Sequence, residues 1–462
     1  MNTATIIGSG PNGLSAGIVL ASAGLKPTLL ERNPAVGGAC STAETTLPGF
    51  RQDLGSSVYP LGKASPFFRS LPVEIPWIEP DAPIAHPLDD GTAIIVEHSL
   101  DATLENLDPC DREAYRAVVE PFARDFVNLI PELLAPVQHL PRHPFLLSRF
   151  GTLALSSASS LARSHFKGRR AQALFAGVAT HSVLPLDRTA SAAVALLMLA
   201  AAHAGGWPIV RGGAQSLSNC LAAHLQRLGG VVVTGHEVQS LPNDGLILAA
   251  ITPHQLLRIA RSQLPSNYVR QLERFRYGPG AFKIDYALSS PIPWKARDCS
   301  RAATVHIGGS LSEIVAAEQT LSAEKPFVLL GQPSLFDADR APAGKHTAWA
   351  YCHVPNGATK DYTEAIENQI SRFAPGFRDC VLARSISTPL SLERWNPNLI
   401  GGDIIGGTMD LRQILFRPTR SLYGTPREGL YLCGASTPPG GGVHGMCGFH
   451  AAHAALGSLK AR

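Results

Sequence analysis

Charge is scarce in this chain: Asp, Glu, Lys and Arg together make up 16% of its residues, against 45% that are hydrophobic. That balance excludes a disordered chain and fits a large packed interior. Polybasic runs and interleaved basic and aromatic residues are missing, and a net charge of +4 is small for 462 residues, so no nucleic-acid partner is expected. The eight cysteines stand apart at 40, 110, 220, 299, 352, 380, 433 and 447, with no Cys-x-x-Cys pair and no His/Cys cluster of zinc-ligand spacing. A thiol redox pair and a metal site are therefore not expected, and the dispersed thiols read as those of a reduced, cytoplasmic protein. The N-terminus has neither a secretion-signal nor a presequence layout. The longest apolar run, Ala192 to Ala202, is too short to span a bilayer and is expected to be a buried helix. Neither a Ser/His/Asp hydrolase signature nor a His-Glu-x-x-His occurs, and there are no internal repeats. What is plentiful is glycine and proline, 43 and 36 residues, which imply many tight turns. The length implies two structural units.

The first chemistry-bearing pattern opens the chain. Thr3 to Ile7 reads as a buried strand, Gly8-Ser9-Gly10-Pro11-Asn12-Gly13 as a G-x-G-x-x-G loop, and Leu14 to Leu20 as a helix with Gly24 as its stop. Pro27 to Leu30 is a second strand, ending at Glu31, eighteen residues after Gly13. Gly8 permits the turn, Gly10 lets backbone approach a pyrophosphate, and Gly13 lets helix and strand pack closely. The helix N-terminus offers free N–H groups to phosphate, and Glu31 is placed for ribose hydroxyls. The motif runs on as Glu31-Arg32, then Gly37-Gly38-Ala39-Cys40. This E-R-x-x-x-x-G-G tail resembles that of the glutathione-reductase-type FAD-binding families, which implies FAD rather than NAD. Disulfide reductases of that type carry a second cysteine five residues after the first. Here that position is Thr45, so Cys40 is expected to be a packing residue near the cofactor.

A second strand–glycine loop–helix pattern closes the chain. Gly429 to Cys433 reads as a strand, Gly434-Ala435-Ser436-Thr437-Pro438-Pro439-Gly440-Gly441-Gly442-Val443-His444-Gly445 as the loop, and Phe449 onward as a helix. This signature resembles that of the bacterial-type phytoene desaturases (carotenoid desaturases) and their uncharacterised relatives. Phe50 to Ser57 and Trp207 to Gly213 agree with it, while Tyr277 to Lys283 and Asn396 to Gly407 look more like the relatives. The resemblance spans essentially the whole chain. It implies FAD contacts at Gly55, Ser56, Val238, Gly434, Ala435, Gly442 and Val443. Many related amine oxidases carry an acidic residue where this chain has Ala435, which favours the desaturase side of the superfamily.

The fold class expected is α/β: a Rossmann FAD-binding domain of glutathione-reductase type interleaved with an α+β substrate domain built on an antiparallel sheet. Residues 1–90, 205–284 and 416–462 would form the first, and 91–204 and 285–415 the second. Ser216 to Leu228 reads as an amphipathic helix, Val231 to Val233 and Leu246 to Ala250 as strands, and Pro253 as a helix start. Phe282 to Leu288 reads as a strand and Tyr115 to Leu134 as one helix. Other glycine pairs look like turns, so a dedicated NADPH domain is not expected.

The resemblance implies dehydrogenation of a lipophilic, isoprenoid- or polyene-like substrate by hydride transfer to flavin N5, and without a dedicated NADPH domain the electrons are expected to pass to a diffusible acceptor such as oxygen or a quinone. An amine or amino-acid oxidase and a redox-neutral flavin-dependent isomerase remain as alternatives. His444 is the catalytic candidate, weighed against a role in shaping the flavin loop. Asp53 reads as a residue that secures backbone beside the flavin rather than as a base. Finally, residues 133–186 hold no Asp or Glu across 54 positions but six basic residues, Arg142, Arg149, Arg163, Lys167, Arg169 and Arg170. Such a surface suits peripheral contact with anionic lipid heads, or is simply a solvated lid of the substrate domain.

Overall fold

The computed structural model describes residues 3–242, 245–321 and 324–460. Two sheets organise it. The first is wholly parallel, with Thr3–Ile7 at its centre. Lys26–Leu30 and then Val231–Val233 lie on one side of it, and Leu246–Ala249 and then Leu430–Leu432 on the other. Parallel pairing requires crossovers, and helices Pro11–Ser22, Ala214–Arg227 and Met446–Lys460 pack together against this sheet. The contact between the two ends of the chain is tight. A Cβ added to Gly448 in the last helix would lie 1.8 Å from the Asn12 carbonyl oxygen in the first.

The second sheet has seven strands in the order Val381–Ser387, Gly280–Leu288, His346–Val354, Val328–Gly331, Ala302–Ile307, Ala82–Pro87 and Ala93–Val96. All its pairings are antiparallel except that of Ala302–Ile307 with Ala82–Pro87. Gly280–Leu288 is buried along its whole length because neighbouring strands and covering layers enclose both its faces. The edge strand Val381–Ser387 instead alternates half-buried and exposed residues, with period two.

The α/β class stands as expected. Ala82–Pro87 and the start of Gly280–Leu288, assigned by sequence to the nucleotide domain, belong to the second sheet. Hydrogen-bond pairing decides this, and no composition shift marks it. The single helix expected over Tyr115 to Leu134 is two, Arg112–Arg124 and Phe126–Leu133, meeting at Asp125. Pro121 and Pro131 lie inside these helices, each withholding an N–H from its ladder, and the chain turns between them at Asp125 (φ −99°, ψ 21°). The apolar run becomes the buried helix Ala192–Ala204. Among the described residues no helix is long and apolar enough to cross a membrane, and no group of His, Cys, Asp and Glu could hold a metal ion.

Candidate active site: a nucleotide cleft joined to an apolar cavity

The N-terminal loop behaves as its glycines dictate. A Cβ on Gly13 would sit 1.9 Å from the Gly8 carbonyl oxygen, so only glycine lets the helix start this close to the strand. Gly8, Ser9, Gly10, Pro11, Asn12 and Gly13 all line a cleft of about 440 Å³. Glu31, Arg32, Gly38, Ala39 and Val238 line it too. Glu31 is buried, and its carboxylate is already held by this chain. One oxygen accepts from the Ser9 amide (2.9 Å) and hydroxyl (2.7 Å), and the other from the Asn33 amide (2.8 Å). Ser9 thus fixes the orientation of this acid at the cleft wall. The backbone of residues 235–236 hydrogen-bonds to Asn33 and Glu31, which brings Val238 alongside.

At the other end Gly434, Ala435, Gly442 and Val443 line the same cleft. Val443 adopts a left-handed φ of 50°, a conformation that β-branched residues hold only under constraint. Other parts of this loop are held from below. The buried Arg417 guanidinium donates to the carbonyls of Gly406 (2.9 Å), Ala435 (3.1 Å) and Ser436 (3.4 Å). Asp403 gathers the amides of Gly278, Ile405, Gly406 and Gly407 at 2.7–3.1 Å. Neither was apparent from sequence, because each acts through backbone groups distant along the chain. Residues 396–399, 404 and 406 complete the cleft wall, although the sequence placed them in the substrate domain.

The cleft opens into a second cavity of about 490 Å³. The two share Ala39, Leu399, Ile404, Gly441, Gly442 and Val443. Gly55 and Ser56 line this second space and not the cleft. Leucines, valines, alanines and prolines dominate its wall, and among the described residues no carboxylate side chain lines it. Trp207, Trp349 and Tyr351 add an aromatic side. Trp349 and Tyr351 stack with ring centroids 6.1 Å apart, as positions two apart on one strand face can. No aromatic cage was legible in the sequence, and the Trp-x-Tyr spacing on a strand was the available signal.

Polar groups at this wall are few. Lys283 forms a buried ion pair with Asp285, the next residue on its strand face. His181 lies with its Nε2 3.0 Å from that of His306, and burial pushes His181 down to a pKa of about 4. His444, the catalytic candidate, lines the apolar cavity, and burial likewise holds it at about 4. Its Nδ1 accepts from the Met446 amide at 3.0 Å and its carbonyl accepts from Ser65 Oγ at 2.6 Å. The neutral ring thus has its Nδ1 committed to the loop, and Nε2 carries the proton.

Asp53 does not reach either space. It joins an ion pair with the buried Arg340 (2.9 Å), which also holds Asp337 (3.0 Å). It also accepts from the Ala214 amide, Thr42 Oγ1 and Ser57 Oγ at 2.6–2.8 Å. Burial alone would raise its pKa, but Arg340 overrides that and holds it below the usual value. Arg340 is a partner that sequence did not reveal. Cys40, expected to pack near the cofactor, is buried and lines neither space, with Sγ 3.5 Å from the Ala214 carbonyl oxygen and 3.6 Å from Tyr59 Oη. Burial pushes its thiol up, so it packs and does not react.

This donor set fits FAD. A helix N-terminus faces the phosphate position, a held carboxylate the ribose, and a backbone-rich glycine loop the junction where a flat ring meets an apolar space. Residues 6–71 match the NAD(P)-binding Rossmann-like domain family. The mouse (Mus musculus) protein named pyridine nucleotide-disulfide oxidoreductase domain-containing protein 2 is 26% identical, over 99% of this chain and 94% of its own length. One polypeptide of the limonene dehydrogenase of Castellaniella defragrans is 33% identical over 119 residues, 24% of this chain and 21% of that protein. Among solved structures, an oxidoreductase from Methanosarcina mazei superposes with a TM-score of 0.67 at 16% identity, covering 99% and 100% of the two chains. Cyclohexylamine oxidase from Brevibacterium oxydans does so with 0.57 at 15%, covering 99% of each. The fold is that of the FAD-dependent oxidoreductases.

Proposed function

We propose that this chain, a Rossmann-type flavin oxidoreductase, dehydrogenates a neutral lipophilic substrate of isoprenoid or polyene kind held in the apolar cavity. The observation that carries this reading is a cavity without carboxylates, joined to the cleft along Ala39 and Gly441–Val443. FAD bound there supplies a two-electron acceptor for hydride. The residues of the chain hold the substrate against that junction, exclude water, and leave little acid–base machinery in reach. For a C–H bond of a hydrocarbon, positioning does most of the work. Lys283 is neutralised by Asp285, and His181 and His444 are uncharged at neutral pH, so the cavity favours an uncharged guest. The partial likeness to a limonene dehydrogenase agrees with a terpene-like substrate. Electrons would leave to a diffusible acceptor, oxygen or a quinone.

A second reading, an amine oxidase, is favoured by the Trp349–Tyr351 wall and by the cyclohexylamine oxidase likeness. Anaerobic mixing of the FAD-loaded protein with each substrate class separates the two. Bleaching of the visible flavin band by detergent-dispersed polyenes or terpenes is expected. Bleaching by aliphatic amines alone would overturn the proposal, and conversion of a polyene without net bleaching would replace it with a redox-neutral isomerisation.

A further inference from the structure

We propose that the rim of the apolar cavity around Leu140 and Phe145 docks on an anionic membrane surface, so that the cavity opens toward lipid. This rests on the reading that the cavity takes a lipophilic substrate. Leu140 and Phe145 are 91% and 90% exposed, which leaves two large apolar side chains almost wholly in water. They are not isolated from the cavity. Val137, three residues before Leu140, is 54% exposed and also lines the cavity, so it stands at the mouth. Across the rim Ile414 lines the cavity and its neighbours Leu415 and Phe416 are exposed. Gln138 Nε2 donates to the Leu415 carbonyl at 2.9 Å, tying the two apolar edges into one surface.

The segment that carries Leu140 and Phe145 has charge of one sign, since residues 133–186 hold no Asp or Glu. Arg142 and Arg149 flank Leu140 and Phe145, are exposed, and form no ion pair among the described residues. Glu132, the carboxylate that precedes the segment, is turned inward to His139 and to the amides of Arg142 and His143. Exposed apolar anchors among unpaired arginines match phosphate headgroups over an acyl layer. A second copy of this chain fits less well, because a two-fold contact would set these arginines against their own copies.

Co-sedimentation of the FAD-loaded protein with vesicles tests the proposal. Pelleting with phosphatidylcholine vesicles that contain phosphatidylglycerol is expected, at least about tenfold weaker with phosphatidylcholine alone and weaker as salt rises. The double variant Leu140→Glu/Phe145→Glu should lose about tenfold or more of that binding while keeping its flavin content and melting temperature. Arg142→Glu/Arg149→Glu should lose it likewise. The proposal is overturned if the wild type stays in the supernatant with anionic vesicles, or if both double variants pellet like it. It is also overturned if Leu140→Glu/Phe145→Glu turns a dimer into a monomer in gel filtration without any vesicle binding by the wild type. Flavin bleaching in detergent micelles reads the substrate independently: bleaching that persists without vesicle binding removes the docking alone.

Discussion

At the scale of single residues, the glycine loop was the most legible feature of the chain. Gly13 could be assigned to close helix–strand packing because no other residue type fits there, and the 1.9 Å approach to the Gly8 carbonyl is the geometric form of that rule. Gly13→Ala should lower flavin occupancy at least tenfold, about 1.4 kcal/mol, read from the ratio of visible to ultraviolet absorbance after desalting. Gly457→Ala is the control. Its Cβ would meet nothing within 4 Å, so flavin content should not change and helix stability should rise by about 0.5–1 kcal/mol. Equal flavin contents in the two variants would refute the steric argument. Asp53 was legible as a residue that secures backbone, but its partner was not. Arg340 lies 287 positions away, and nothing in the sequence around it marks it as buried. Cys40 was legible as a packing residue, but not its partners Tyr59 and the Ala214 carbonyl, 19 and 174 positions away.

At the scale of elements, strand and helix periodicity carried most of the nucleotide domain: the strands at 3–7, 231–233 and 246–249 and the helix from 253 arise where the pattern placed them. A bend at Asp125 divided what periodicity read as one helix over 115–134. The C-terminal glycine loop, whose strand and helix were also legible, depends on an element that was not. The 403–407 turn is bound to the loop by Arg417, which donates to carbonyls of both. Arg417→Leu would leave three carbonyls without this donor, at about 1–3 kcal/mol for each that stays buried. The expected result is at least tenfold weaker FAD binding, measured by flavin fluorescence on titration of the apoprotein, with partial recovery in Arg417→Lys. Unchanged affinity would show that the loop is held by its backbone alone.

At the scale of the whole molecule, buried titratable groups set the response to pH. Burial lowers His86, His181 and His444 to about 4 from 6.5. The unfolded chain therefore binds protons first, and the stability these rings contribute as neutral groups is complete above pH 6.5 and lost as pH falls from 6.5 toward 4. Asp53, held below 3.8 chiefly by Arg340 against its burial, keeps its contribution until pH falls through that value. The urea midpoint should be flat between about pH 7 and 8 and fall steadily below about 6.5. A midpoint constant down to pH 5 would contradict neutral burial of these rings.

The sequence by itself determined the nucleotide cleft at both its ends, because G-x-G-x-x-G, the acid after the second strand and the C-terminal glycine run are local patterns whose backbone geometry admits few alternatives. It also determined the class of the fold, because apolar periodicity distinguishes strand from helix over short windows. Only the tertiary structure decided which strands join the second sheet, which arginines lie beneath the loops, and that an apolar cavity, carboxylate-free among the described residues, adjoins the cleft. Those features come from residues hundreds of positions apart meeting across two sheets. The free energy that selects such meetings is spread over many weak contacts, and leaves no short pattern to read.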